Sequence, residues 1–445
     1  MREITEHITE VGNLYCSNTY DGFVKDRTLF PYFLILFMIS PVLALISGMF
    51  SFRQRGAKLI MILFFGVLGY SWIINPGMDS HSIIENFQDR YLVMSFSQFL
   101  YETEMLITLK GDDNIANDAY QHFLLYSISM ITEQGKWVMF SLASIFGFFY
   151  VKNAWMVYKE RKEEWDLVSL LLFIFFISWI SVIGINAPRN YTGGMVFFFG
   201  AYSYLRTGKA SYLVLVAMTP LFHFMYFAIA PCFFVYVFLK DRKYLYLGIL
   251  AVSFVGTLGL AQLDPILTST ELTESRAEIY TGENWEDGPP GTFETNKSFH
   301  AQYYREAGEW AITGIFFGVL FLGGYLKDKN HDQLQNGLAG TALLILSFSN
   351  FMTAIPALSG RSHIYFGLFA LAYLVRFFSS NKIENKKLYW LVYLFLPAIL
   401  LFLFTQFSRI GDYADFRVLV SPLLYPFIGD DPISMKEFIR TILEL

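Results

Sequence analysis

The stretch that decides the fold lies between Ser181 and Pro231, and it contains two interruptions of apolar sequence. The first reads Asn186-Ala-Pro-Arg189-Asn-Tyr-Thr-Gly-Gly and puts an arginine between two apolar runs. The second reads Thr219-Pro-Leu-Phe-His223-Phe-Met-Tyr and puts a proline and a histidine inside a third run. An ionisable group at the depth of a bilayer costs roughly 2.5–3.5 kcal/mol on insertion scales, and its default interpretation is functional. Both interruptions therefore predict a site.

The composition of the chain supports a membrane setting for this stretch. The 445 residues are 54% hydrophobic and 19% aromatic but only 16% charged, against about 25% charged residues in soluble domains. Repeated long apolar runs indicate a membrane-embedded helical bundle. The net charge of -5 gives no reason to expect nucleic acid. Cys16 and Cys232 lie in such different contexts that neither a disulfide framework nor a metal site is expected.

Eleven segments are predicted to enter or cross the membrane within a single integral domain, residues 1–445. They are 29–50, 57–74, 136–158, 167–185, 189–205, the broken segment 211–239, 244–263, 310–326, 337–355, 361–378 and 388–404. The predicted fold class is an all-α polytopic membrane protein with about ten to twelve transmembrane helices, re-entrant or broken helices and long external loops.

Lysine and arginine near the segment ends predict the orientation, because such residues are retained on the cytoplasmic side. If the chain turns back near His223, six basic connections share that side and both termini are external. The two halves of 211–239, about 12 and 16 residues, are short for full spans. Irregular backbone at this depth must face protein or water, so the turn at Pro220 to His223 is expected to line a cavity open to the outside. The basic connections are Arg53/Arg55/Lys58, Lys159/Arg161/Lys162, Arg206/Lys209, Lys240/Arg242/Lys243, Lys327/Lys329 and Lys382/Lys386/Lys387.

The predicted external segments are long and rich in polar groups. They cover 75–135, which holds two apolar pieces at 91–109 and 120–131, then 264–309, and the C-terminal segment 406–445. The two apolar pieces are too short to span and are expected to be interfacial or re-entrant helices. Loops of this length are more often functional than idle.

Two arginines are the first candidates for binding a substrate. Arg189 opens the segment 189–205 and Arg361 opens 361–378, and both segments enter from the predicted outside. The planar guanidinium suits a phosphate or diphosphate, which it binds through paired, charge-assisted hydrogen bonds. Exposed amides at an interrupted helix start would add to that binding. The alternative is that each arginine merely snorkels to lipid headgroups.

The candidates for acid–base chemistry are less specific. His223 could exchange a proton or bind an anion near neutral pH, although a lone histidine on an apolar face can equally be a satisfied core residue. Asp79 or Glu85, with Asp89 as a third choice, could deprotonate a hydroxyl, or could simply be solvated in a loop. Helical spacing does not put Asp79 and Glu85 on one face. Weaker candidates are Arg90, Arg276, His300, Arg305, His363 and Arg409.

In their order and placement these motifs resemble the EpsG-like branch of the Wzy-type bacterial polysaccharide polymerases, a family that makes O-antigen, exopolysaccharide or capsule. The matching features are Gly77-Met-Asp79, Arg189 after a proline, Phe222-His223 in a broken segment, Arg361 followed by Ile-Tyr-Phe, and the late run Ser421-Pro-Leu-Leu-Tyr-Pro-Phe. The resemblance covers roughly residues 29–440. The Asp79 region lacks the tyrosine-rich continuation of the family pattern, which leaves the carboxylate open.

The resemblance implies a glycosyltransferase-C-like fold and a metal-independent glycosyltransferase of the bacterial inner membrane, with its active site facing the periplasm and no cofactor. Its donor would be a glycan on undecaprenyl diphosphate and its acceptor a repeat unit on the same lipid; a flippase and a chain-length regulator are the implied partners. The diphosphate would be held by Arg189, Arg361 and His223, with Arg90, Arg276, Arg305 and His363 as further contacts. Asp79 or Glu85 would be the base, and His223 the further catalytic group.

Two other classes of function stay open at this point. A flippase or secondary transporter for a lipid-linked glycan would use the same broken segment and cations, although no inverted repeat is evident. A transferase resembling O-antigen ligase would form one bond and no ladder of lengths. The products made from one defined repeat unit separate these alternatives.

Overall fold

The computed structural model describes residues 30–108, 118–159, 166–256, 258, 299–327, 332–380, 385–428 and 431–443. These residues form eighteen α-helices, with short 3-10 turns between them, and the protein is the all-α polytopic membrane protein that the sequence predicts. In chain order the helices are α1 Phe30–Ile39, α2 Pro41–Phe50, α3 Arg55–Tyr70, α4 Asp79–Asn86, α5 Phe96–Thr108, α6 Ala119–Ser129, α7 Gly135–Lys159, α8 Leu167–Trp179, α9 Pro188–Thr207, α10 Ser211–Ala217, α11 Tyr226–Leu239, α12 Lys243–Ser253, α13 Phe299–Leu322, α14 Gln333–Phe351, α15 Pro356–Ser380, α16 Lys386–Leu394, α17 Leu396–Tyr413 and α18 Met435–Leu443.

The described residues fall into two compact units. The smaller lies within Met1–Phe64 and Arg417–Gly429, and the larger within Phe65–Phe416 and Asp430–Leu445. In the smaller unit, α1 packs against α2 and against the 3-10 turn Pro422–Phe427. The site described below lies entirely in the larger unit. The single domain expected over residues 1–445 stays a prediction.

The first predicted segment, 29–50, is two helices and not one. Ser40 between α1 and α2 has an extended backbone, and its hydroxyl accepts a hydrogen bond from the Leu43 N–H at 3.4 Å. Pro41 then occupies the first turn of α2, where its missing N–H is no loss. The serine and proline together end one helix and start the next, so the prediction of an uninterrupted span is corrected.

Three helical stretches of the described chain are long and apolar enough to cross a membrane, namely Gly135–Lys159, Leu167–Asn186 and Pro356–Ser379. Helices α16 and α17 meet at 48° and would form a fourth as a bent span. Pro397 in the first turn of α17 accounts for the bend, because proline cannot continue the preceding helix. Shorter apolar helices, among them α10 with its following turn, α11 and α12, surround these spans. The expected total of ten to twelve stays a prediction.

Helix α15 is the centre of the larger unit. It packs against α8, α13 and α14, and 89% of its most apolar 18-residue window is buried, as expected for a helix that is apolar all round. Gly367 lets α8 approach closely, since a Cβ there would lie 2.5 Å from the Trp179 ring. The Trp179 Nε1 donates a hydrogen bond to the Ile364 carbonyl at 2.7 Å. The end of α8 is thereby fixed on α15.

Both predicted interruptions are confirmed as breaks in helical structure. After α8 the chain makes a 3-10 turn at Val182–Asn186, which Ser181 caps, and α9 starts at Pro188. The segment 211–239 is divided into α10, a 3-10 turn at Thr219–Leu221 and α11. Pro188 at the start of α9 and Pro220 at the start of the Thr219–Leu221 turn are compatible with the fixed φ and missing N–H of proline.

The predicted external segments contain more helix than the sequence indicates. The apolar pieces at 91–109 and 120–131 correspond to α5 and α6, and α4 precedes them. Helix α13 begins at Phe299, eleven residues before the expected start at Trp310, so Arg305 and Glu309 are helical and not in a loop. The remainder of 264–309 lies outside the described residues, as does the end of the predicted segment 244–263.

Candidate functional site

A cavity of about 930 Å³ opens among the breaks and helix ends of the larger unit. Its wall comes from the start of α4, the α8–α9 connection, α13, the end of α14, the start of α15, and α17. The connection of α8 to α9 contributes six lining residues, and Trp179 at the end of α8 and Asn190 and Tyr191 at the start of α9 contribute three more. The first of the two sequence interruptions therefore lines a cavity, as irregular backbone inside a membrane protein should.

Six acidic, basic or histidine side chains line this cavity, and three of them are arginines from three different helices. Arg305 on α13, Arg361 on α15 and Arg409 on α17 supply positive charge, and Asp79 and Glu309 supply negative charge. The sixth is His363, two residues beyond Arg361. The excess of arginine makes the cavity suited to a ligand with more than one negative charge.

Contacts within the wall hold two of these arginines in place. The Arg305 Nε donates to the Glu309 Oε1 at 3.1 Å, one helical turn apart on α13. The Arg409 guanidinium donates to the Tyr304 hydroxyl and lies 5.6 Å from the centre of that ring. Arg361 lies in the second turn of α15, immediately after the exposed Gly360. The three guanidinium groups thus come from rigid helices and not from loops.

Asp79 reaches the cavity through a turn that only glycine makes easily. Gly77 has a φ of 83°, in the left-handed region, and α4 starts two residues later at Asp79. Gly77, Met78 and Asp79 all line the cavity, and Asp79 is exposed. The Gly77-Met-Asp79 motif therefore serves to present the carboxylate at the wall.

The rest of the wall combines uncharged polar groups with aromatic rings. The polar lining residues are Ser181, Asn186, Asn190, Ser349, Asn350, Ser359 and Gln406, and the aromatic ones are Trp179, Tyr191, Tyr304, Phe402 and Tyr413. Phe402 stacks on Trp179 with ring centres 5.2 Å apart and lies 5.7 Å from Tyr304. The Ser181 hydroxyl donates to the Gln406 Oε1 at 3.0 Å, which joins the α8–α9 connection to α17. Polar groups at intervals on an apolar aromatic wall are typical of a small-molecule site.

Arg189 does not line this cavity. Its Nη1 donates to the Asp118 Oδ2 at 3.1 Å, and the side chain of Asp118 is only 4% exposed. The adjacent Asn190 does line the cavity, and its backbone and side-chain oxygens accept hydrogen bonds from the Tyr226 and Tyr365 hydroxyls. The structure therefore separates Arg189 from Arg361, which the sequence analysis expected to share one cavity.

His223 is also absent from the cavity wall. It is buried, and its Nδ1 accepts a hydrogen bond from the Met225 N–H at 3.2 Å. The neighbouring Phe224 N–H donates to the Asp118 Oδ1 at 3.0 Å, so one carboxylate joins the broken segment to Arg189. The turn at Pro220 to His223 was expected to line the cavity; in the described structure it does not, and its N–H groups at Leu221, Phe222 and His223 bond to the carbonyls of Met218 and Thr219.

The other predicted residues have mixed placements. Arg305, His363 and the weaker candidate Arg409 line the cavity with Arg361 and Asp79. Arg90 is instead paired with Glu102 at 2.6 Å, and Glu85 is exposed beside His81 at 3.1 Å. Asp89 is exposed on the π-helical turn Phe87–Tyr91. Arg276 and the side chain of His300 lie outside the described residues.

Sequence reasoning missed Glu309 and underrated Arg409. Glu309 was counted as the last residue of a loop, because the apolar run that marks α13 begins only at Trp310. A helix start at Phe299 would have revealed the Arg305–Glu309 pair through its spacing of four residues. Arg409 was assigned to an external tail, whereas α17 continues to Tyr413. Polar helix ends that face a cavity carry no apolar periodicity to mark them.

The cavity and two of the described basic residues, Lys243 and Arg376, lie at opposite ends of α14 and α15. Lys243 donates to the Tyr325 carbonyl at 2.8 Å, and Arg376 donates to Asp332 at 2.7 Å, next to the start of α14. The cavity residues Ser349 and Arg361 lie at the other end. Gln333 and Asn350 of α14 are 17 residue steps apart, which separates the two ends by about 26 Å at the usual helical rise. Lysine and arginine near the ends of membrane helices are usually retained on the cytoplasmic side.

Among the described residues, no group of three or more histidine, cysteine, aspartate or glutamate side chains is arranged to hold a metal ion. Arg305, Arg361 and Arg409 are cationic groups that line the cavity. These can bind phosphate oxygens directly through charge-assisted hydrogen bonds.

The fold and the cavity define the class as a polytopic membrane protein with an arginine-lined, partly aromatic cavity. The particular family follows from comparison with known families: the EpsG family model matches residues 59–416, and the chain belongs to the EpsG family. No curated protein and no solved structure matches the chain. Membership indicates a polysaccharide-polymerase type of function, carried out by a glycosyltransferase-like membrane protein. The family match includes every residue that lines the cavity.

Proposed function

We propose that this protein joins lipid-linked oligosaccharide repeat units into a polysaccharide inside the arginine-lined cavity. The donor is a growing glycan on undecaprenyl diphosphate and the acceptor is one repeat unit on the same lipid. The observation that carries the proposal is the convergence of Arg305, Arg361 and Arg409 from three helices on one cavity that also has aromatic and amide groups. A sugar diphosphate needs both kinds of surface.

The arginines would act on the leaving group. Breaking the bond between the sugar and the diphosphate leaves additional negative charge on a phosphate oxygen, and fixed cations in a site shielded from water stabilise that charge most effectively. A guanidinium also holds phosphate oxygens in a defined orientation. This reaction needs no metal ion for charge stabilisation, because three permanent cations are already available at the wall.

The aromatic and amide groups would bind the sugars. Trp179, Phe402 and Tyr304 form a row of rings along which the apolar faces of sugar rings can pack. Asn186, Asn190 and Gln406 offer hydrogen bonds to hydroxyl groups. The acceptor hydroxyl also needs a base in the same cavity, and Asp79, Glu309 and His363 are the candidates that line it.

Arg189 and His223 keep a role in this proposal, but as positioning residues. Asp118 holds the Arg189 side chain and the backbone at Phe224 together, next to the cavity residue Asn190. Their effect on catalysis would pass through the shape of the α8–α9 connection. We propose that the cavity faces the outer side of the bacterial inner membrane, on the basis of the basic residues at the far end of α14 and α15.

The experiment is the incubation of purified protein, in detergent or liposomes, with one defined lipid-linked repeat unit. A ladder of glycan lengths on a gel is the expected result, and it should disappear when Arg361 and Arg409 are both replaced by glutamine. The matched control is Arg440→Gln, which changes an exposed arginine of α18 that is not part of the cavity wall. Transport of labelled lipid across liposomes without any lengthening would instead identify a flippase. A single transfer without a ladder would identify a ligase-like transferase.

A further inference from the structure

His363 and Glu309 form a histidine–carboxylate pair inside the cavity. The His363 Nε2 lies 4.0 Å from the Glu309 Oε2, and about a quarter of each side chain is exposed. The other oxygen of Glu309 accepts the hydrogen bond from Arg305 at 3.1 Å. One carboxylate therefore faces a permanent cation with one oxygen and an imidazole with the other.

The environment of His363 distinguishes its two ring nitrogens. Nε2 is buried, and no hydrogen-bond acceptor among the described residues reaches it. A buried N–H without a partner costs free energy. The carboxylate oxygen of Glu309 lies 4.0 Å from Nε2, so a small movement of either side chain would bring the two atoms within hydrogen-bonding distance. Catalytic hydrogen bonds are often long before substrate binds and shorten in the complex. This geometry assigns the N–H to Nε2 and the proton-accepting lone pair to Nδ1.

Asp79, the alternative base, has a different environment. It is exposed at the start of α4, where its carboxylate is solvated. A solvated carboxylate is a weak base at neutral pH, whereas an imidazole has its proton affinity near the working pH. His363 also lies two residues from Arg361 on the same helix, so one element would carry both the diphosphate contact and the base.

We propose that His363 is the catalytic base of the polymerisation and that Glu309 is the positioning residue that fixes its tautomer, with Arg305 holding Glu309 in turn. This assignment rests on the proposed function. In the reaction the acceptor hydroxyl gives its proton to the His363 Nδ1 while its oxygen forms a bond to the anomeric carbon of the donor. The bond from that carbon to the diphosphate oxygen breaks, and its electron pair stays on the diphosphate. The proton later leaves His363 for water, which restores the base.

The charged groups that face His363 are Glu309 and Arg305 on α13, and Arg361 lies on its own helix. Protonation of His363 removes the base, so the rate should fall as pH is lowered while the affinity for the lipid-linked substrate is retained. Loss of the Glu309 charge should reduce the rate less than loss of the imidazole, because Glu309 acts only through His363.

The test uses His363→Ala and Glu309→Gln in the full-length protein, with His81→Ala as the matched control. Like His363, His81 pairs with a glutamate, which is Glu85 on the same helix, but His81 does not line the cavity. We expect His363→Ala to lower kcat by about 10²–10⁴, the usual contribution of a general base, to leave KM within a few-fold, and to remove the decline in rate at acid pH. Added imidazole should restore part of the activity in the space left by the side chain. His363→Gln is the second variant if the alanine form does not fold.

Several outcomes would overturn the assignment. A folded His363→Ala or His363→Gln protein that keeps the wild-type kcat would show that His363 is not the base, and an intact kcat with a raised KM would make it a diphosphate ligand. If Asp79→Asn no longer shows the decline in rate at acid pH while His363→Ala still shows it, Asp79 is the base. If wild-type protein makes no ladder, the proposed function fails as well, whereas a wild-type ladder with an unimpaired His363→Ala overturns this assignment alone.

Discussion

The cavity and the region around Asp118 use similar residues for different purposes. In the cavity, arginines on α13, α15 and α17 face a space of about 930 Å³. Around Asp118, Arg189 and the backbone at Phe224 are bound to a protein carboxylate, and nearby Arg90 is bound to Glu102. An arginine at a membrane helix end can therefore serve a ligand or the fold, and what distinguishes the two groups here is whether the side chain lines the cavity.

Substitutions in the two regions should therefore affect different properties, namely the reaction rate in the cavity and the stability of the fold around Asp118. Substitutions in the cavity wall remove charge from a solvated space and should leave the fold intact. Substitutions around Asp118 leave a buried charge without its partner, which is costly. The predictions below test this contrast, beginning with the largest expected effect.

The largest effect should follow Arg361→Gln. We expect the rate of polymer formation to fall by about 10²–10³, as for the loss of one strong electrostatic contact to a developing anion, with an unchanged unfolding temperature. The measurement is the initial rate of ladder formation by purified protein, with Arg440→Gln as the control. A rate within twofold of wild type would mean that Arg361 serves the fold or the lipid headgroups instead.

The second effect concerns the Arg189–Asp118 pair. Each of Arg189→Gln and Asp118→Asn should destabilise the protein by about 3 kcal/mol, because the remaining partner keeps a poorly solvated charge. The double variant should be destabilised by less than the sum. Thermal unfolding in detergent of the wild type, the two single variants and the double variant provides the four stabilities of this double-mutant cycle. Additive losses, or stable single variants that cannot bind the lipid diphosphate, would place Arg189 with the cavity arginines.

A smaller effect should distinguish two glycines of α15. Gly367→Ala would place a Cβ 2.5 Å from the Trp179 ring and should cost about 1–3 kcal/mol through overpacking. Gly360→Ala is the matched control, because no atom lies within 4 Å of its added Cβ, and alanine favours the helix by up to about 1 kcal/mol. The unfolding temperatures of the two variants should therefore shift in opposite directions. Equal shifts would contradict the contact that fixes Trp179 at the cavity wall.

The smallest effect should be a pH dependence of the protein's stability that comes from a histidine outside the cavity. Burial lowers the pKa of His122 on α6, where Tyr91 donates to Nδ1 and Nε2 lies 3.2 Å from the Phe99 carbonyl. The unfolded chain then binds the proton more readily, so stability is lost as pH falls from about 6.5 towards the folded pKa. The Glu102 carboxylate, 3.7 Å from Nδ1, raises the pKa of His122 and the Arg90 guanidinium lowers it, so these two effects partly cancel.

The slope cannot exceed about 1.4 kcal/mol per pH unit, the limit for one proton. Thermal unfolding at pH 7.5 and 5.5 should show the loss in wild-type protein and a weaker loss in His122→Gln. The variant His81→Gln, which changes a half-buried histidine outside the cavity wall, should behave as wild type. An identical pH dependence in His122→Gln would assign the effect to other groups.

The sequence predicted the helical membrane fold and both interruptions, because long apolar runs and proline breaks are local signals. It placed Asp79, Arg305, Arg361 and His363 among the site candidates, and all four line the cavity. It could not predict that Asp118 binds Arg189, since the two residues are 71 positions apart. The split of residues 29–50 at Ser40 was missed because the apolar run continues across it.

Glu309 shows a second kind of limit. Its helix begins with the polar stretch before Trp310, which has no apolar stripe to reveal it. Helix ends that line a water-filled cavity are polar on the face toward the cavity, so their sequences resemble those of loops. Their assignment needs the neighbouring helices, which only the folded chain supplies.

The most direct test of the account is a cryo-microscopy map of the protein with a bound lipid-linked repeat unit. The account predicts diphosphate density within hydrogen-bonding distance of Arg361 and at least one of Arg305 and Arg409, with the sugars beside Trp179 and Phe402. Diphosphate density at Arg189, with the Asp118 pair broken and the cavity empty, would contradict it.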